Sequence, residues 1–130
     1  MAETMTMSYS YKPVFILAFL DYMNDRGEAS LEDVADGFAS FYEERIKEGK
    51  PAEKKPCIFT KGGYSAKDVE RLILSMPFKR FEQMGFMHHS KYLGTIALNR
   101  AIMHRLTEDD IHQLSSFCAK AIERYFGVGT

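Results

Sequence analysis

At 130 residues, with 45% hydrophobic and 27% charged residues, the chain has the make-up of one globular domain able to bury a core, which excludes a disordered or repetitive protein. Its net charge of −1 gives no overall attraction to polyanions, and two cysteines are too few for a disulfide scaffold. Ten phenylalanines and seven tyrosines without a tryptophan predict a core of single aromatic rings.

Residues 1–10 are small and polar and read as a disordered N-terminal segment, with no basic stretch leading into an apolar one as a signal peptide requires. Pro13 opens the first helix, where its missing N–H costs nothing. Residues 14–20 are apolar on every side, which places this helix at the centre of the core; the run is too short to cross a bilayer. It ends at Asn24, Asp25, Arg26 and Gly27, with Gly27 as the left-handed C-terminal residue. Ser30 starts the second helix, with Asp33 at the reciprocal capping position. Leu31, Val34, Phe38, Phe41, Tyr42 and Ile46 recur at helical spacing and predict its buried face. Gly49 and Pro51 stop it.

Residues 49–64 form a long connector with two prolines and four lysines, a length that predicts a functional or mobile loop, with Ile58 and Phe59 anchoring it as a short strand. Ser65 and Asp68 repeat the capping pattern ahead of Val69, Leu72, Ile73 and Met76. Pro77 then kinks the helix or begins a new one that carries Phe78, Phe81 and Met84 inward and ends at Gly85. Beyond Gly85 the period changes to two: residues 86–89 and 95–98 flank a five-residue tip, 90–94, and predict a β-hairpin. A short helix over 99–106 follows. Thr107 and Asp110 cap a long final helix, with Glu108, Asp109 and Asp110 in a first turn that favours acids. Ile111, Leu114, Phe117, Cys118, Ala121, Ile122 and Tyr125 give its buried stripe. Cys57 and Cys118 fit no metal spacing and read as reduced thiols of a cytoplasmic protein.

Three helices followed directly by a β-hairpin is the order of a winged helix-turn-helix. The expected fold is therefore mainly α with a small β-hairpin, a winged helix-turn-helix with an extra C-terminal helix. It spans 11–126, with a 127–130 tail. In that fold the helix before the hairpin enters the DNA major groove and the hairpin meets backbone or minor groove. Charge is divided to match. Residues 1–44 hold two bases against nine acids, a balance of −7; residues 45–105 hold thirteen against five, +8; residues 106–130 come to −2. A split of this size points to one surface for a polyanion, here double-stranded DNA.

The candidate DNA contacts follow. If Phe78 and Phe81 point inward, Lys79 and Arg80 point out, with Gln83 one turn on and Ser75 one turn before Lys79, residue types suited to phosphates and base edges. Lys67 and Arg71 share a face at i, i+4 and either meet phosphates or pair with Asp68 and Glu70. Lys91 and Tyr92 at the hairpin tip suit a backbone contact or a stacked base. Lys54, Lys55 and Lys61, with Lys50, would form a flexible electrostatic arm, or serve solubility alone.

Tyr11, Lys12 and Pro13, followed by the apolar run to Leu20 and by Asp21, resemble the opening of winged-helix-like accessory domains in bacterial restriction and phage-defence proteins. Such domains lie beside HNH or phospholipase-D-type nucleases and helicases. Pro77, Phe78, Arg80, Phe81 and Glu82, then Gly85 and Phe86, are similar to a second segment of theirs, and residues 95–99 to the strand leaving the wing. The likeness covers most of 9–126 and extends distantly to phosphorothioate-DNA-binding domains. It implies the DNA-reading or docking part without a nuclease, since no nuclease motif is present.

His88 and His89 face opposite sides of a strand, and His104 and His112 are eight apart across a helix break, so no metal site is expected. No nucleophile–His–acid order, phosphate-cradling glycine motif or carboxylate pair predicts an enzyme, and no cofactor is implied. The sequence leaves open a homodimer through the C-terminal helix. It also leaves open a non-DNA role, as a docking module that binds and regulates a larger nuclease, polymerase or phage or host target.

Overall fold

A computed structural model describes residues 9–127, and three of its helices start on caps that the sequence supplies. In chain order the elements are α1 (Tyr11–Tyr22), β1 (Glu28–Ser30), α2 (Leu31–Lys47), α3 (Ile58–Lys61), α4 (Ala66–Ser75), α5 (Pro77–Gln83), β2 (Met87–Ser90), β3 (Thr95–Leu98), α6 (Arg100–Arg105) and α7 (Glu108–Gly127). The Ser30 hydroxyl accepts the Asp33 amide at 3.3 Å. Ser65 and Asp68 bond reciprocally at 3.2 and 2.9 Å, as do Thr107 and Asp110 at 3.0 Å each. Each cap satisfies amides that the first turn leaves without a helical partner. Pro13 is the third residue of α1 rather than its first, still within the turn whose N–H groups have no helical acceptor.

The molecule is mainly helical with a three-stranded antiparallel sheet in the order β1-β3-β2. The hairpin is present, with Ser90 opposite Thr95, so its tip holds four residues rather than five. The third strand, β1, was not expected. It pairs Glu28, Ala29 and Ser30 with Ala97, Ile96 and Thr95 of β3. Gly27, at φ 78°, turns the chain from α1 into β1, and its carbonyl accepts the Leu98 amide at 2.9 Å.

α1 is the central element, packed against α2, α5, α7 and β1. Its Phe15 is fully buried beside the rings of Phe78 and Phe81, with centroids 6.3 and 6.0 Å away. A second aromatic group joins Tyr11, Phe38, Tyr42 and Phe59, with Phe59 stacked on Tyr42 at 4.7 Å. Burying each such ring contributes about 1.5–3 kcal/mol. Cys118, Ala121 and Ile122 of α7 are buried, and the helix packs along α1.

Several expectations change. Ile46 and Met84, expected inward, are 44% and 49% exposed, because each lies at a helix end where the core has already receded. Ile58 and Phe59 do anchor the long connector, but as the one-turn helix α3 rather than a strand. Ala52, Glu53 and Cys57 are buried as well, so the predicted flexible arm is pinned at several points. Tyr9 and Ser10 belong to the fold: Tyr9 stacks on Tyr11 at 4.7 Å and Ser10 is wholly buried. The rest of the predicted disordered segment, 1–8, and of the tail, 128–130, lies outside the described residues. Among the described residues no helix is long and apolar enough to cross a membrane.

Candidate nucleic-acid interface

The break between α4 and α5 decides how the predicted contact residues are arranged. Met76 leaves helical geometry at φ −121° and ψ −84°, and Pro77 starts α5. Phe78 and Phe81, three residues apart, turn toward Phe15, so at 100° per residue Gln83 points almost directly outward with Lys79 and Arg80 on either side. All three are exposed. Ser75 does not join them. It is the last residue of α4, across the break, and its hydroxyl donates to the Leu72 carbonyl at 3.3 Å, which leaves its oxygen free only to accept.

On α4, Lys67 and Arg71 are exposed and each pairs with an acid of its own helix, Lys67 with Glu70 and Arg71 with Asp68, both at 3.4 Å. The carboxyl of Asp68 is held below its usual range by the Ser65 amide and hydroxyl and, less, by Arg71. Among the described residues Lys79, Arg80 and Lys91 have no carboxylate within ion-pair distance. Lys54 and Lys55 lie instead over the rings of Tyr125 and Tyr9, at 4.5 and 5.2 Å. That is the end of the molecule where α1 begins and α7 finishes. Lys61 is exposed on α3, and Lys50 pairs with Glu48 at 3.2 Å. The predicted basic residues thus fall into groups on α5, on α4, at the hairpin tip and along the connector.

The connector is held by a buried carboxylate that sequence reading passed over. Glu53 accepts from the Ser10 amide and hydroxyl, at 2.6 Å each, from the Lys54 amide at 2.8 Å, and from the Tyr125 hydroxyl. The Ser10 hydroxyl also meets the Tyr42 hydroxyl at 2.8 Å. An acid among lysines gives no sign in sequence of partners forty-three and seventy-two residues away. Leu93 was passed over too, although a large apolar side chain at a hairpin tip departs from the usual polar turn.

The hairpin directs its two histidines apart: His89 toward the Phe78 ring at 6.1 Å, His88 outward. His88 lies in one cross-strand row with Ala97 and Glu28. It lines a cleft of about 660 Å3 with Asp25, Arg26, Glu28, Arg100 and His104. Among the described residues no three His, Cys, Asp or Glu are placed to hold a metal. An open apolar cleft of about 340 Å3 lies beneath α6, walled by Leu20, Phe81, Phe86, Ile102 and Leu106 among others.

No family model, curated protein or solved structure matches the chain.

Proposed function

We propose that the chain is a non-enzymatic, DNA-binding winged-helix protein, acting as a small regulator or as the recognition part of a restriction or phage-defence system. The architecture supports this reading. A short strand between the first two helices, a helix directly before a hairpin, and the strand order β1-β3-β2 make a small sheet that carries the hairpin beside α5. The observation that carries the proposal is the outward strip of Lys79, Arg80 and Gln83 on α5, with its two bases facing no protein carboxylate among the described residues. Arg and Lys suit phosphates or guanine edges and Gln suits adenine. Lys91 and Tyr92 on the hairpin, Lys67 and Arg71 on α4, and Lys61 would add contacts along the backbone.

A gel-shift assay on 24-base-pair duplexes, plain and phosphorothioate-modified, tests it. Affinity should fall steeply between 50 and 200 mM salt, and Lys79→Glu with Arg80→Glu should lower it by about tenfold or more. Binding indifferent to both salt and charge reversal would sink the reading.

A second reading, a protein-docking module, draws on a cleft of about 510 Å3 between α2 and α4, where Glu32, Asp33, Asp36 and Glu43 surround Ala35 and Ala39. It predicts no duplex binding at any salt concentration and a larger mass by light scattering once a basic partner is added.

A further inference from the structure

The hairpin tip bears two large apolar side chains side by side in water: Tyr92 is 96% exposed and Leu93 69%. No other large hydrophobic residue described is more than half exposed. Hairpin tips ordinarily carry Gly, Asn, Asp or Ser, and an adjacent aromatic–aliphatic pair there is a standing cost in water unless something covers it. The turn that holds the pair is fixed at its base. Ser90 accepts the Leu93 amide on its hydroxyl at 3.2 Å and the Gly94 amide on its carbonyl at 2.8 Å. The Gly94 carbonyl in turn accepts the Leu31 amide at 2.9 Å, which ties the turn to the start of α2. Gly94 has φ 67°, a left-handed conformation that suits glycine. The pair is therefore presented on an anchored turn, with Lys91 beside it.

We infer that Tyr92 and Leu93 form an apolar wedge that enters a base step of duplex DNA and unstacks it. This rests on the DNA-binding reading above and adds a contact of a different chemical kind. A tyrosine ring has a face for stacking on a base. Leu93 fills the apolar gap that opens beside it, and Lys91 sits where it can meet the adjoining phosphate. Inserted apolar side chains of this kind open base steps and bend the duplex, and ring–base stacking is tolerant of sequence. The wedge thus contributes affinity and deformation, while the α5 strip contributes charge and base-edge contacts.

The two contributions separate experimentally because only one involves charge. Duplexes of 24 base pairs carrying 2-aminopurine at successive positions, and the same duplexes labelled at both ends for energy transfer, are titrated with the wild-type protein, Tyr92→Ala/Leu93→Ala and Tyr92→Trp. The expected result is a rise in 2-aminopurine fluorescence and a shortened end-to-end distance with wild-type protein and Tyr92→Trp. The double alanine variant should lose both signals and bind about tenfold or more weakly. Its slope of affinity against salt should match wild type, because no phosphate contact has been removed. Wild-type binding without a fluorescence change at any position, or a double variant that binds and bends DNA as wild type does, overturns the wedge while leaving the DNA-binding reading intact. A wild-type protein that binds no duplex overturns both.

Discussion

Glu53 is 5% exposed and accepts four hydrogen bonds, joining the residue before α1, the connector and the end of α7 at one point. A carboxylate taken out of water is tolerated only when its oxygens are satisfied, and here they are. Glu53→Ala would strand the buried Ser10 amide and remove the acceptor for its hydroxyl, so it should cost about 2–4 kcal/mol. Urea denaturation measures this directly, and a change below about 0.5 kcal/mol, within the range of ordinary surface substitutions, would show that the network adds no stability. Burial acts on proton equilibria as well. It pushes the Cys118 thiol from 9.0 up to about 11, and it raises the Tyr42 and Tyr11 hydroxyls above their ordinary value of 10.0. The folded state therefore binds these protons more tightly than the unfolded chain. That stabilisation is complete below pH 9 and is lost as pH rises, first through the thiol between 9 and about 11 and then through the tyrosines. The urea midpoint should be flat from pH 7 to 8.5 and fall by pH 10.5, less steeply in Cys118→Ala. A midpoint unchanged at pH 10.5 would contradict it.

Among the elements, the turn between α1 and β1 is the one with the least room. A Cβ on Gly27 would lie 2.8 Å from the Met103 sulfur of α6, and the backbone is left-handed there. Gly49 has a similar φ of 81° but open space around it. Gly49→Ala should therefore show only conformational strain, about 1–2 kcal/mol. Gly27→Ala should cost more, since Met103 must move and the Leu98 bond to the Gly27 carbonyl is strained with it. A thermal melt in which both variants shift equally would show that the close approach to Met103 carries no energy. Much at this scale was legible in the sequence, because caps, glycine stops and the proline break are local signals. Ser65 with Asp68, Thr107 with Asp110, and the Pro77 break stand where the residues put them. β1 was not legible, since three residues are too few for their alternation to stand out and Ser30 also caps α2. α3 was misread because a short apolar pair fits a strand as well as one helical turn. The exposure of Lys79, Arg80 and Gln83 followed from the spacing of Phe78 and Phe81. The exclusion of Ser75 did not, because it depends on how the chain turns at Met76 rather than on residue type.

For the whole molecule the DNA-binding reading turns on how many cations would reach phosphate. On the DNA-binding reading, Glu32, Asp33, Asp36 and Glu43 around the cleft between α2 and α4 disfavour a duplex laid along that cleft. Each neutralised phosphate contributes about −0.9 to the slope of log affinity against log salt. Lys79, Arg80 and Lys91 have no protein carboxylate within ion-pair distance among the described residues, and alone they give a slope of about −3. Lys67 and Arg71 can add to it only by leaving Glu70 and Asp68. Lys67 and Arg71 are themselves exposed, although Glu70 is only 14% exposed, so the exchange costs on the order of 1 kcal/mol and the slope would approach about −4 to −5. Lys54 and Lys55, held over Tyr125 and Tyr9, should leave the slope unchanged when replaced by alanine. Titration of the wild type, Lys79→Ala/Arg80→Ala and Lys54→Ala/Lys55→Ala across 50–300 mM salt separates these groups. The α5 variant should be shallower by about 2, and the connector variant should match wild type. If the connector variant instead carries the larger loss, the duplex lies along the end of the molecule where α1 begins, and α5 is not the reading helix.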